Sequence, residues 1–142
     1  MTTIETLNHL PYFIDNDFLV KYCQLVDRHK RSRCVRGKTN RHHILPRAYF
    51  NLTGQEVNND PNNLVDLPYR EHILAHYYLC LCTKDPLCYA NQLALFCLLG
   101  RKKKVNDVDT QLIRGLPMYE SIYKSYIVKK KNGSQIYSGG IK

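Results

Sequence analysis

The sequence predicts an α+β protein that is mainly helical. Two short stretches with strand character, RHHILP (41–46) and NLVDL (63–67), stand among longer segments whose apolar residues recur at helical spacing. The length of 142 residues fits one domain, and an apolar fraction of 44% is enough for a proper core.

The first helix is expected over 15–31, DNDFLVKYCQLVDRHKR, with Asp15, Asn16 or Asp17 as cap and Phe18, Leu19, Tyr22, Leu25 and Val26 as its apolar stripe. A basic loop, RSRCVRGKTN (31–40), leads into the first strand, which should stop at Pro46. The stretch 48–63 is rich in Asn, Asp, Gly and Pro and reads as turns. After NLVDL a helix should open near Pro68, a residue suited to a first helical position, and run through YREHILAHYYLCLC. Asp85-Pro86 interrupts the chain. An apolar helix over 87–100 follows, with Gly100 as its C-cap. One further helix is expected over about 109–128, with Met118, Ile122 and Tyr126 on one side, and 129–142 reads as a basic C-terminal tail.

The chain carries a formal charge of +9, from 21 Lys+Arg against 12 Asp+Glu. Such a balance serves either solvation or attraction to a polyanion. No apolar run approaches the roughly 18 residues that a membrane span requires, and the first residues lack the pattern of a secretory signal. A cytoplasmic protein with no membrane partner is therefore expected. The six cysteines include no CxxC pair, so buried thiols are favoured over a structural metal at Cys80, Cys82, Cys88 and Cys97.

Four histidines are placed for chemistry. His72 and His76 lie four residues apart on a predicted helix, which puts them on one face about 5–6 Å apart at Cβ. That spacing lets two imidazoles hold one metal ion. A third ligand must come from elsewhere, and one of the adjacent pair His42 and His43 can supply it. Neighbours in a strand point to opposite faces, so the other is left to handle protons. His9 and His29 have no partners in this pattern and read as structural.

In their order and spacing, the motifs HHILP, NNLVDL and REHILAH resemble the HNH endonucleases of the ββα-metal fold, most closely the small phage and bacterial type. The resemblance is tight over 41–76 and looser over the N-terminal helix and RGLPMYESIYKSY (114–126). It implies a single nuclease domain over 1–128, with a ββα-metal core at about 40–82. It also implies a metal-dependent DNA endonuclease working in a bacterium or a phage-infected host cell. His42 and His72 match metal ligands, and His76 matches a third ligand used in some branches of the family. His43 matches the general base, its far nitrogen held by a backbone carbonyl, and Asn63 matches the central asparagine that braces the loop. Products with a 5′-phosphate and a 3′-hydroxyl are implied, and RNA is a less favoured substrate than DNA.

Two departures from the family pattern occur. Pro68 stands where a Thr cap is usual, and Arg41 where an acidic residue often precedes the paired histidines. Neither removes a catalytic group. Arg41, Arg47 and Arg70 flank the site, and Lys102, Lys103 and Lys104 form a basic run; these are the candidate phosphate contacts. One divalent ion is expected. Three imidazoles favour Zn²⁺ or Ni²⁺, whereas two imidazoles with waters admit Mg²⁺ or Mn²⁺. The competing class is a non-catalytic nucleic-acid-binding or regulatory module on the same scaffold.

Overall fold

A computed structural model describes residues 2–30, 38–100 and 107–136. It is α+β and mainly helical, with one two-stranded antiparallel sheet among seven described α-helices and a short 3-10 turn at Pro61–Asn63. Helix α1 (Thr3–Leu7), not anticipated above, is closed by a capping box in which the Thr2 side chain accepts from the Glu5 amide. Helix α2 (Asp17–His29) starts where Asn16 accepts from the amides of Phe18 and Leu19, and it buries Leu19, Tyr22, Cys23, Leu25 and Val26.

Strand β1 (Thr39–His43) pairs with β2 (Leu64–Pro68), with His42 opposite Val65 and His43 opposite Leu64. β1 ends before Pro46 because Asn63 captures the next two residues. Its carbonyl accepts from Ile44 N at 2.9 Å, and its side-chain oxygen accepts from Leu45 N at 2.8 Å.

The segment read as turns contains a helix, α3 (Arg47–Thr53), which buries Tyr49 and Phe50. The turn chemistry acts at its end, where Gly54 sits at φ 72° and closes α3 with a left-handed cap. Helix α4 (Tyr69–Leu81) follows β2 without a loop, so strand, strand and helix are contiguous in space.

Helix α5 (Leu87–Leu99) packs against α4. The single helix expected over 109–128 is two: α6 (Asp107–Arg114) and α7 (Tyr119–Ile136). Gly115 and Pro117 separate them, and Pro117 has no amide to continue the ladder. Met118 N donates instead to the Tyr77 hydroxyl at 3.1 Å. α7 also runs on through Ile136, into the first half of the expected tail.

Two apolar clusters meet at α4. Leu19, Tyr22, Val26, Val65, Leu67, Ala75 and Leu79 belong to one, and Ile73, Tyr77, Leu95, Leu98, Ile113 and Ile122 to the other. No described helix is long and apolar enough to cross a membrane.

Candidate metal centre

His42 comes from β1, and His72 and His76 from successive turns of α4. The strand turns His42 inward, where it is 3% exposed, and α4 lies across it. The three ring centroids are 5.1–5.2 Å apart in every pairing. One ligand nitrogen from each ring lies within 4.8 Å of the other two. Among the described residues this is the one group of three or more His, Cys, Asp or Glu side chains arranged to hold a metal ion.

One nitrogen of each ring is held by a polar partner. His72 Nδ1 is 3.1 Å from the side-chain oxygen of Asn40 on β1. His76 Nδ1 is 3.2 Å from that of Asn91 on α5. The Asn91 amide is oriented by its own donation to the Leu87 carbonyl at 3.1 Å, which turns its oxygen toward His76. Each asparagine oxygen accepts, so Nδ1 of each ring carries the proton and Nε2 carries the lone pair. His42 Nε2 lies 2.7 Å from the hydroxyl oxygen of Tyr22, a fully buried residue of α2. A polar partner on one nitrogen of each imidazole is the kind of contact that orients metal-binding histidines.

Two of the rings, His42 and His76, are held toward the neutral form that binds metal. Burial holds His42 well below the ordinary histidine range, and the nearby His76, His72 and His43 add to the effect. Burial lowers His76 to about 4, against a smaller upward pull from its bond to Asn91. Three converging imidazole nitrogens fit a divalent ion.

His43, at the end of β1, is half-buried and lines the same pocket of about 220 Å³ as the three-histidine cluster. The two neighbours therefore differ in depth but share one cavity, because the strand ends at His43 and the alternation ends with it. His43 Nε2 is 2.8 Å from the side-chain oxygen of Asn59. The expected backbone carbonyl is thus replaced by an amide side chain from the loop before β2.

Asn63 is buried and does not line this pocket. Its amide group also donates to the carbonyls of Leu45, at 3.3 Å, and Asn58, at 2.8 Å. It therefore positions the end of β1 and the loop that carries Asn59.

Arg41 and Arg47 line the pocket and are exposed, Arg41 with its guanidinium 3.6 Å from Asp66 across the sheet. Arg70 points to α6, where it meets Asp109 at 2.6 Å, and it is not among the pocket residues. Lys102, Lys103 and Lys104 lie outside the described residues. Of the cysteines, Cys23, Cys80, Cys82 and Cys88 are buried free thiols and Cys97 is exposed.

Sequence reasoning missed Tyr22, Asn40, Asn59 and Asn91 as parts of the site. Tyr22 was legible as a core position of α2, and Asn91 as a polar residue inside an apolar helix.

No family model, curated protein or solved structure matches the chain.

Proposed function

We propose that this chain is a metal-dependent DNA endonuclease built on a ββα-metal, HNH-type scaffold. The observation that carries the reading is a fourth histidine, separately held, in the same pocket as a three-histidine cluster. In this reading His42, His72 and His76 hold one divalent ion. When bound, that ion neutralises charge on a phosphodiester in the transition state and stabilises the leaving oxygen. Asn59 keeps the proton of His43 on Nε2, so Nδ1 takes the proton from the attacking water. Arg47, at the pocket rim on the first turn of α3, grips a phosphate oxygen. Asn63 holds the loop that holds His43.

The net charge of +9 supports a polyanionic substrate, and the likeness of the motifs to HNH nucleases favours DNA over RNA. The test is cleavage of supercoiled plasmid by protein loaded with Mg²⁺, Mn²⁺, Zn²⁺ or Ni²⁺, with and without EDTA. Nicking or linearisation that EDTA abolishes and metal restores is expected. Metal binding and DNA binding without cleavage under any of the four ions would replace this reading with the non-catalytic module.

A further inference from the structure

We infer that Tyr22, on the flanking helix α2, selects the nitrogen through which His42 meets a metal. The centre is then of mixed type, with Nδ1 from His42 and Nε2 from His72 and His76. This rests on the metal-binding half of the proposed function and is independent of the cleavage step.

The Tyr22 hydroxyl has a single hydrogen and lies between two groups, the Ile44 carbonyl oxygen at 2.7 Å and His42 Nε2 at 2.7 Å. A carbonyl oxygen only accepts. If the hydroxyl proton went to His42, two oxygens would face each other at 2.7 Å with no hydrogen between them. Tyr22 is 0% exposed, so this would leave the buried carbonyl without its donor. The proton therefore goes to Ile44, and the hydroxyl accepts from His42 Nε2–H. A neutral imidazole has one N–H, which leaves the lone pair of His42 on Nδ1. Asn40 and Asn91 impose the opposite tautomer on His72 and His76 by accepting from Nδ1–H.

Helix α2 thereby becomes part of the centre. It packs against both α4 and β2, the elements that carry or flank the ligands. The Ile44 carbonyl that receives the Tyr22 proton belongs to the residue Asn63 fastens by its backbone. One hydrogen-bonded path therefore runs from the central asparagine through Ile44 and Tyr22 to His42.

The experiment is long-range proton–nitrogen NMR of the histidine rings in the full chain, first metal-free and then loaded with cadmium, beside titration of Zn²⁺ affinity. In the metal-free protein His42 is expected as the Nε2–H tautomer and His72 and His76 as Nδ1–H. On loading, metal–nitrogen coupling should appear at Nδ1 of His42 and at Nε2 of the other two. Tyr22→Phe removes the acceptor, should release the His42 tautomer, and should weaken Zn²⁺ binding by about 10–100-fold. An Nδ1–H tautomer at His42 in the wild-type protein overturns the inference, as does a Tyr22→Phe variant with unchanged tautomer and affinity. Should Tyr22→Phe fail to fold, the wild-type spectrum decides alone. A wild-type protein that shows the expected tautomers yet binds no metal sinks the metal-centre reading and upholds the Tyr22 assignment.

Discussion

Acid should destabilise the metal-free protein through the groups that would hold the metal. His76 is lowered to about 4 in the folded chain, whereas in the unfolded chain it returns to the ordinary 6.5. The folded pKa is the depressed one. As pH falls through 6.5 the unfolded state takes up a proton that the folded state refuses, so stability is lost. The slope for one such group reaches about 1.4 kcal/mol per pH unit, and the loss levels off near pH 4. Across that window His76 costs about 3 kcal/mol, a large part of the stability of a typical domain. His42 acts in the same direction, through burial and its histidine neighbours. The assay is urea unfolding of metal-free protein at a series of pH values, for the wild type and for His76→Gln, whose side chain does not titrate. The wild type should lose stability faster than the variant as pH falls from 6.5 toward 4. Parallel curves would refute this, by showing that the folded state accepts the proton at His76 despite its burial.

Other expectations follow from the same geometry. His43→Ala should retain metal and DNA binding and lose cleavage by about 10²–10⁴ in rate, read by plasmid digestion. His42→Ala and His72→Ala should lower metal affinity, read by titration; metal loss in His43→Ala with retention in His42→Ala would mean the two neighbours were exchanged. Asn91→Leu should weaken metal binding by about 10–100-fold, because the acceptor for His76 Nδ1 is removed. For α7, neutralising Lys130 should flatten the salt dependence of DNA binding more than neutralising Lys129, whose amine already pairs with Asp85 at 2.9 Å. Equal salt slopes for the two variants would assign Lys130 to solvation.

The parts of the fold that follow from local patterns were legible in the sequence. The i, i+4 histidine pair lies on one face of α4 as its spacing requires; β2 is displaced by one residue from the expected stretch, while β1 starts two residues earlier and stops three residues short of Pro46. Helix α3 was hidden because its Gly54 cap and the Asn-rich loop behind it dominate the composition of 48–63. The break between α6 and α7 was written in Gly115 and Pro117, but the apolar period on either side masked it. The partners of the four histidines were not legible. Tyr22 lies 20 residues before His42, and Asn91 lies 15 beyond His76. Such pairings exist only once helices have packed, and nothing in the local spacing of a tyrosine or an asparagine announces them.

Helix α4 has no solvated side of the usual kind. Ala75 and Leu79 face one apolar cluster, Ile73 and Tyr77 face the other, and His72 and His76 occupy the arc between. A helix gripped on two sides has no freedom to roll about its axis, and rolling is the motion that would swing both imidazoles away from His42. The compass bearing of the ligands is therefore set by residues that never approach them. Ile122, on α7, belongs to the second cluster and is 4% exposed. Shaving it to alanine should open a void in the cluster that holds Ile73 and Tyr77 and so loosen one of the two grips on α4. On the proposed reading, the affinity of the three histidines for an ion, measured by titration of Ile122→Ala beside the parent chain, should fall if that grip orients them.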